Sequence, residues 1–425
     1  MDHLHLKTVL CCIGTRPELI KMAPVVKAFQ RSSACRCRVL LTAQHRSLVD
    51  QMLHFFDIHP DIDLNIMKAN QSLPELTARL LVQLDSALAD EKPDIVLAQG
   101  DTTTVFTTAL ACFYRNIPFA HVEAGLRTHN LRSPFPEEAN RLLAGRLSAL
   151  HFAPTASARG NLLREGIYPD TIHIVGNPVI DALLLAIQRQ IPLDIPLDPF
   201  KRMILVTAHR RESFGQPLRQ ICHAVASLTQ RFHDIEFLWP LHPNPSVKPV
   251  VQGLLGRNPS VLLCDPLEYG PFVTAVSRSH LVLTDSGGLQ EEAPALGKPV
   301  LVMRENSERP EAIWAGVAKL VGTRSETIVS EVASLLQDPQ AYASMSKGGS
   351  PYGDGKAADR IAQIVTDYLA TPATQENTLA HPELPKSPVS VSLMQPAIRA
   401  LHLRQQQIPV PHEHGLENSP PPTPR

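Results

Sequence analysis

The chain has 425 residues, of which 44% are hydrophobic and 19% are charged, and its formal net charge is −1. This length exceeds one ordinary core and predicts two domains of roughly 150–200 residues, while the near-zero charge argues against nucleic acid or an anionic membrane as a partner. The seven cysteines lack the spacing of a zinc or disulfide framework and no apolar run reaches the ~18–20 residues of a membrane span, so we expect a cytoplasmic protein with reduced thiols.

The first part of the chain alternates short apolar runs with segments whose apolar residues recur at helical spacing. Buried strands are predicted at 9–13, 39–43, 95–99 and 117–122. The segments between them, such as 17–30, 73–90 and 103–115, have the periodicity of helices. Strands that are apolar throughout and separated by helices indicate a parallel sheet covered on both faces.

The second part of the chain repeats this pattern after a long helix near 178–190 and a proline-punctuated linker. Further strands are predicted at 203–208, 235–240, 261–264, 281–285 and 299–303. Beyond about residue 370 the chain is rich in proline and loses its periodicity, which predicts a disordered tail over 371–425.

These elements predict an α/β protein with two doubly wound, Rossmann-like domains that face each other across a cleft. The N-terminal domain is predicted over 1–172 and the C-terminal domain over 173–370. In such folds ligands bind outside the carboxyl ends of the strands. The polar clusters described next follow predicted strands, so we expect them to line the cleft.

A glycine-rich turn follows the predicted strand 281–285. Ser286, Gly287 and Gly288 precede a predicted helix, so their backbone N–H groups can approach an anion at the helix N-terminus. Glu292 lies in the first turns of that helix, where a carboxylate could accept both hydroxyls of a ribose. The turn therefore favours a nucleotide over bare phosphate, although helix capping and close packing also explain three small residues.

Cationic residues follow several strands and suit a diphosphate. Arg16 and Lys21 lie after the first strand, in GTRPELIKMAP, where they could meet one anion or simply be solvated. In the second half the cationic positions are His209 and Arg211 in TAHRRES, His242 in LHPNP and Arg309 in SERPEA. A histidine followed by two arginines directly after a strand favours a functional role for His209.

Carboxylates form another group in the first half. Asp101 in QGDTTTV and Glu123 in HVEAGLRT each follow a strand, and Glu137 opens the next predicted helix. A strand-end acid in an α/β cleft seldom has a purely structural role, whereas Glu138 is explained by the helix dipole alone. Around these carboxylates, no His-x-x-x-His or D-x-D ligand pattern supports a metal site. We therefore expect neither a metal nor another cofactor.

Nine motifs in this order resemble the non-hydrolysing UDP-N-acetylglucosamine 2-epimerases. They are GTRPE, QGDTTTV, HVEAGLRT, PEEANR, GNPVID, TAHRRES, HPNP, TDSGGLQEEAPALGKPVLVMR and ERPEA, and the resemblance covers about residues 7–368. It implies a glycosyltransferase-B-like fold with the active site between the domains. It also implies a homodimer, and a last helix near 355–369 that packs back on the N-terminal domain.

The resemblance also implies roles for individual residues. The positions that match catalytic ones are Asp101, Glu123, Glu137 and His209, of which Asp101, Glu123 and His209 also bind the substrate. The positions that match nucleotide-binding ones are Arg16, Lys21, Phe272, Ser286, Gly287, Gly288, Glu292 and Arg309. Candidates for a second, activating nucleotide-sugar site are Gln44, Arg211 and His242. Two positions depart from the family pattern: Leu267 replaces a glutamine near the uracil, and Asn70 replaces an arginine.

The implied reaction is the reversible C2 epimerisation of UDP-N-acetylglucosamine to UDP-N-acetylmannosamine, which supplies N-acetylmannosamine-type units for surface polysaccharide. No carbonyl activates the C2 hydrogen, so its removal must accompany departure of UDP from C1, to give 2-acetamidoglucal. Four alternatives stay open at this point. They are a UDP-N-acetylglucosamine-dependent glycosyltransferase, a hydrolysing 2-epimerase, a 2-epimerase of a modified UDP-sugar, and a non-catalytic nucleotide-sugar sensor.

Overall fold

The computed structural model describes residues 6–42, 46–68 and 71–371, and of residues 46–48 only the backbone. Gln44, Asn70 and the predicted tail beyond Thr371 lie outside the described residues. Within them the chain forms two parallel sheets, each with helices on both faces. This confirms the predicted α/β class and its two Rossmann-like domains.

The first sheet has seven parallel strands in the order β3-β2-β1-β4-β5-β6-β7. The strands are β1 Lys7–Ile13, β2 Cys35–Leu41, β3 Ile62–Asp63, β4 Ile95–Gln99, β5 Phe119–Val122, β6 Leu150–Ala153 and β7 Ile172–Ile174. The helices among them are α1 Arg16–Arg31, α2 Arg46–Phe56, α3 Leu73–Glu91, α4 Thr103–Tyr114, α5 Glu137–Leu147 and α6 Ala156–Arg164.

The second sheet has six parallel strands in the order β10-β9-β8-β11-β12-β13. The strands are β8 Arg202–Thr207, β9 Ile235–Pro240, β10 Val261–Cys264, β11 Leu281–Thr284, β12 Val300–Val302 and β13 Ala318–Leu320. The helices are α7 Pro178–Gln188, α8 Gln216–Arg231, α9 Lys248–Leu255, α10 Tyr269–Arg278, α11 Leu289–Ala295, α12 Pro310–Trp314, α13 Ser325–Gln337, α14 Pro339–Met345 and α15 Ala357–Ala370.

The strands are apolar throughout because both faces of each sheet are covered. In β1, Val9, Cys11 and Ile13 pack into the cluster that contains α1, whereas Leu10 and Cys12 pack with α3 and α4 on the other face. Alternate side chains of a strand point to opposite faces, so an unbroken apolar run is what two helical layers require. The backbone of the site loops is therefore fixed by a two-sided core.

The last helix, α15, packs against the first-sheet layer. Ile361 and Val365 are fully buried in the cluster that also contains Val26 and Phe29 of α1. The carboxylate of Asp181, on α7, accepts the N–H groups that open α15 at distances of 2.9 and 3.3 Å. The domain boundaries at 172 and 370 stay a prediction; β7 continues the first sheet to Ile174.

The described part of the chain contains no helix that is both long and apolar enough to span a bilayer. All seven cysteines are free, and five of them are buried.

Truncating Ile361 to alanine tests the contribution of α15. The substitution leaves a cavity beside α1, so we expect the free energy of unfolding to fall by roughly 2–5 kcal/mol. Urea unfolding measures this change, with the exposed neighbour Gln363→Ala as the control. Equal stability of the two variants would contradict the packing of α15 on the first half.

Candidate active site

Both sheets place their polar loops at the point where the strand order reverses. In the first sheet this point lies between β1 and β4, and in the second it lies between β8 and β11. Successive connections leave in opposite directions there, which opens a crevice at the carboxyl ends of the strands. The loops that follow these four strands carry Arg16, Asp101, His209 and Ser286.

A cleft of about 660 Å³ is lined by residues from both halves of the chain. This volume lies within the roughly 300–1,000 Å³ of small-molecule sites. Its walls include five of the predicted site residues: Lys21, Asp101, Glu123, Glu137 and Arg309. The structure therefore brings the three predicted catalytic carboxylates together with two cations.

Glu123 is held by three donors at the centre of the cleft. Lys21 Nζ lies 2.8 and 2.6 Å from its two carboxylate oxygens, Asn177 Nδ2 donates to Oε1 at 3.0 Å, and Gln99 Nε2 donates to Oε2. Burial raises the pKa of this carboxyl, but the charge and hydrogen bonds of Lys21 outweigh it, and the net pKa is lowered. Glu123 is therefore an ionised carboxylate with most of its acceptor capacity in use.

The backbone of Glu123 is in the left-handed region, with φ of 64°. Few residues other than glycine adopt this conformation, and it persists where surrounding contacts impose it, as they commonly do at active sites. Glu123 comes directly after β5, so the turn aims its side chain back toward α1 and Lys21.

Asp101 has a different environment from Glu123. Arg141 donates to its Oδ2 at 2.6 Å, and Asn140 Nδ2 holds its backbone carbonyl at 2.9 Å. Burial raises the pKa of the Asp101 carboxyl; Arg141 opposes this change, and Glu123 adds to it. The two carboxylates thus have pKa values displaced in opposite directions, which is the pattern of an acid–base pair.

Glu137 and Glu138 have separate roles at the start of α5. Glu137 lines the cleft, as expected for a catalytic candidate. Glu138 is fully buried and accepts the backbone N–H groups of Thr128 and His129 at 3.0 and 2.9 Å. Glu138 therefore fixes the loop that precedes α5, in addition to any interaction with the helix dipole.

Arg309 projects into the cleft from the second half of the chain. Its Nε donates to Glu291 Oε1, and Asn177 Nδ2 donates to the other oxygen of Glu291 at 2.7 Å. Burial alone would lower the pKa of Arg309, but the charges of Glu291 and Glu123 outweigh the effect of burial, and the net pKa is raised. Arg309 is a permanent cation beside the predicted carboxylates.

His209 lies outside the 660 Å³ cleft and pairs with a fully buried carboxylate, that of Asp285. His209 Nδ1 lies 3.1 Å from Asp285 Oδ1, while Asp285 Oδ2 accepts the N–H of His209, the N–H of Arg210 and the hydroxyl of Ser213 at 2.8–2.9 Å. The ring of His242 stacks on His209 with 6.0 Å between centroids. A carboxylate at Nδ1 accepts the Nδ1–H, so the neutral ring presents an unprotonated Nε2 outward.

These features agree with comparisons to known proteins. The family model described as UDP-N-acetylglucosamine 2-epimerase matches residues 27–366. Over 367 residues, which are 84% of this chain and 98% of the relative, the sequence is 52% identical to the UDP-N-acetylglucosamine 2-epimerase of Escherichia coli K12. The chain belongs to the UDP-N-acetylglucosamine 2-epimerase family.

Other members of the family support the same assignment. The UDP-N-acetylglucosamine 2-epimerase of Salmonella typhimurium is 51% identical over 370 residues, or 85% of this chain and 98% of the relative. The crystal structure of UDP-GlcNAc 2-epimerase from Neisseria meningitidis bound to UDP-GlcNAc has a TM-score of 0.77 and 46% identity, and the match covers 85% of this chain and all of that one. The family and its glycosyltransferase-B-like fold, both predicted from the sequence, are confirmed.

The roles of the remaining family-derived positions stay predictions. Burial, with Glu291 beside it, raises the pKa of Glu292 to about 7, while Lys21 opposes the change. Phe272 packs in the same apolar cluster as Leu267. The positions that do not line the cleft are Arg16, His209, Phe272, Ser286, Gly287, Gly288 and Glu292.

The candidates for an activating site are only partly described. His242 stacks on His209, and Arg211 begins a 3-10 turn over Arg211–Ser213. Gln44 lies outside the described residues. Among those residues there is also no group of three His, Cys, Asp or Glu side chains that could hold a metal ion.

Several residues around the site were absent from the sequence-based candidates. Gln99, Asn177 and Asp285 each hold a predicted catalytic residue, and Arg141 holds Asp101. All four lie inside motifs already noted, namely QGD, GNPVID, TDSGG and PEEANR. Their position next to a strand end or helix start was the available signal.

Glu18 is another buried acid that sequence analysis missed. It lies in GTRPE, lines the cleft, and forms a capping box with Thr15 at the start of α1. Its Oε2 accepts the N–H groups of Gly14 and Thr15. Burial raises the pKa of Glu18 from 4.5 to about 7, although the hydrogen bonds that it accepts lower it.

Glu18→Gln tests this raised pKa through its effect on stability. Between about pH 4.5 and 7 the unfolded chain releases the Glu18 proton while the folded chain retains it, so this group costs the wild type stability as pH rises. The stability of Glu18→Gln relative to wild type should therefore increase by up to about 3 kcal/mol over that range.

Urea unfolding at a series of pH values measures this difference. The matched control is Glu75→Gln at the exposed capping box of α3, because its hydrogen bonds to Ser72 lower the pKa of Glu75. The control should show the opposite trend only below about pH 4.5, where the lowered pKa of Glu75 acts, and little change between pH 4.5 and 7. A Glu18→Gln difference that does not change with pH would contradict a raised pKa.

Proposed function

We propose that the chain is a non-hydrolysing UDP-N-acetylglucosamine 2-epimerase that interconverts UDP-N-acetylglucosamine and UDP-N-acetylmannosamine. The observation that carries this proposal is the single cleft in which Asp101, Glu123 and Glu137 meet Lys21 and Arg309. Relatives of about 50% identity are named UDP-N-acetylglucosamine 2-epimerase, and the similar Neisseria protein is described as bound to UDP-GlcNAc.

The proposed route is elimination followed by re-addition. A base takes the C2 proton, the C–H electron pair forms the C1–C2 double bond, and the C1–O bond breaks so that UDP leaves with its electron pair. In the return step UDP attacks C1 while an acid delivers a proton to C2 from the opposite face. The products of the first step are 2-acetamidoglucal and UDP, and water takes no part.

Two carboxylates with different proton affinities suit the two faces of the sugar. Glu123 is ionised and is the candidate to accept the C2 proton. The pKa of Asp101 is raised, which makes Asp101 the candidate to deliver a proton to C2. Glu137 lines the same cleft as these two carboxylates. A positioned general acid or base typically contributes ~10²–10⁴ in rate.

Cations around the cleft suit the departing diphosphate. Lys21 and Arg309 lie beside the carboxylates, and His209 presents Nε2 at the end of β8. The N–H groups of the turn at Ser286 add donors at the start of α11. Stabilisation of charge that develops on a leaving group is commonly the largest single contribution to catalysis.

The proposal extends to the role of the protein in the cell. The proposed route transfers a proton and UDP with no oxidation or reduction step, and we propose that it uses neither a metal nor nicotinamide. We place it in the cytoplasm of a bacterium, where it supplies N-acetylmannosamine-type units for surface polysaccharide. The named relatives are bacterial.

Proton NMR of the reaction in D₂O tests the activity and the route together. Incubation with UDP-N-acetylglucosamine should produce UDP-N-acetylmannosamine with deuterium at C2, because the C2 proton exchanges with solvent in the elimination. Free N-acetylmannosamine would identify a hydrolysing enzyme, and turnover without deuterium would exclude elimination through a solvent-exchanging base.

Asp101→Asn is the control for this experiment. Asparagine is isosteric with aspartate but neither accepts nor releases a proton in the reaction, so turnover should fall at least ~10²-fold while UDP still binds. Turnover close to that of the wild type would remove Asp101 from the mechanism.

We also propose that the protein is a homodimer that pairs through helices α3, α4 and α5. These neighbouring helices expose Val82, Phe113, Tyr114 and Leu143, with Val82 66% and Tyr114 62% exposed. The Arg115–Asp85 ion pair places the end of α4 beside the middle of α3. Together they form an apolar face, and such faces commonly mark interfaces.

Sedimentation velocity tests the homodimer. The wild type should sediment as a dimer, and a Val82→Asp/Tyr114→Asp variant should shift toward the monomer because charges would be buried at the interface. Phe200→Asp, at a 93% exposed residue away from these helices, is the control and should remain dimeric. A monomeric wild type would reject the proposal.

A further inference from the structure

Two buried ion pairs, one from each half of the chain, meet in the cleft. Lys21 pairs with Glu123 beside the first sheet, and Arg309 pairs with Glu291 beside the second. Both carboxylate side chains are only 3% exposed, and the two cations are below 20%. Two positive and two negative charges give this cluster no net charge.

Asn177 joins the two ion pairs through one amide group. Its Nδ2 donates to Glu123 Oε1 at 3.0 Å and to Glu291 Oε2 at 2.7 Å. Its Oδ1 accepts the N–H of Val179 at 3.1 Å, as the N-cap of α7, which fixes the orientation of the amide. Asn177 thus uses both of its amide hydrogens to bridge the two halves.

The cations of this cluster are the ones that the proposed function assigns to the diphosphate. Arg309 directs its Nε at Glu291, and Lys21 directs its Nζ at Glu123. A diphosphate that binds these cations must compete with both carboxylates. The competition becomes stronger when UDP leaves the sugar, because the departing phosphate gains a negative charge.

We propose that Asn177 and Glu291 are positioning residues that couple diphosphate binding in the second half of the chain to the catalytic Glu123 in the first. The proposal rests on the proposed function. As UDP departs, its new charge draws Lys21 and Arg309 away from the carboxylates, and Glu123 retains the C2 proton. Re-addition reverses the exchange. Throughout, the two hydrogen bonds of Asn177 keep the carboxylates of Glu123 and Glu291 in fixed positions relative to each other.

Glu291→Gln separates this coupling from a purely structural ion pair. Removing the Glu291 charge leaves the cluster with a net positive charge, so UDP should bind roughly tenfold more tightly. Because UDP is then held too well as an intermediate, kcat should fall by roughly tenfold. Titration calorimetry with UDP and steady-state kinetics measure the two effects. The matched control is Glu331→Gln, which breaks the surface pair with Lys319 and should change neither.

Asn177→Ser tests the bridge itself. Serine preserves the N-cap of α7 but is too short to reach both carboxylates. We expect kcat to fall at least tenfold while UDP affinity stays within about threefold of the wild type. Because Glu291→Gln and Asn177→Ser disrupt the same coupling, the double variant should lose less activity than the product of the two single losses.

Thermal unfolding of each variant completes the test. Weaker UDP binding by Glu291→Gln would overturn the inference, and so would independent effects of the two substitutions. If Glu291→Gln fails to fold, Asn177→Ser tests the inference by itself, because an unchanged kcat in that variant also overturns the proposed coupling. A failure of the wild type to epimerise UDP-N-acetylglucosamine would reject the proposed function alone, because the UDP titration of Glu291→Gln needs no turnover and still supports or overturns the competition between Glu291 and the diphosphate.

Discussion

The compensation of charge around the buried carboxylate of Glu123 is the constraint on which the site depends. An ionised carboxylate taken out of water is costly unless it is paired and hydrogen-bonded. Glu123 meets this requirement with Lys21, Gln99 and Asn177. Each donor comes from a different segment, so the position of Glu123 is tied to the folding of the whole first sheet and to the start of α7.

The topology of the sheets explains how such distant segments meet. The carboxyl ends of parallel strands lie along one edge, so β1, β4 and β5 deliver their loops to the same place. The second sheet repeats this arrangement with β8, β11 and β12. Because α15 packs back on α1, the segment after the second sheet is anchored to the first. The cleft therefore contains groups from both sheets on fixed supports.

Sequence periodicity predicted the longer helices and strands, and the structure explains why some short strands were missed. The missed strands β3, β6, β7 and β13 have only two to four residues, and each contains a polar or charged side chain, so none stood out as an apolar run. Of the site residues predicted from the motifs, Lys21, Asp101, Glu123, Glu137 and Arg309 line the cleft. The motifs could not predict that Lys21 would pair with Glu123 or Arg309 with Glu291, because the partners lie 102 and 18 residues apart. Helix α1 also begins at Arg16, one residue before the predicted proline start.

The charges that we propose to bind a diphosphate must also be tolerated by the folded chain. Lys21 and Arg309 without carboxylates would be buried cations with no counter-charge, at a cost of several kcal/mol each. Glu123 and Glu291 remove that cost, but they also compete with the diphosphate for the same donors. This competition weakens the binding of UDP in the ground state and becomes favourable only as charge develops on the leaving group. Preference for the developing charge over the bound substrate is what accelerates a reaction. Under the proposed function, the ion pairs that stabilise the cleft therefore also give it selectivity for the transition state.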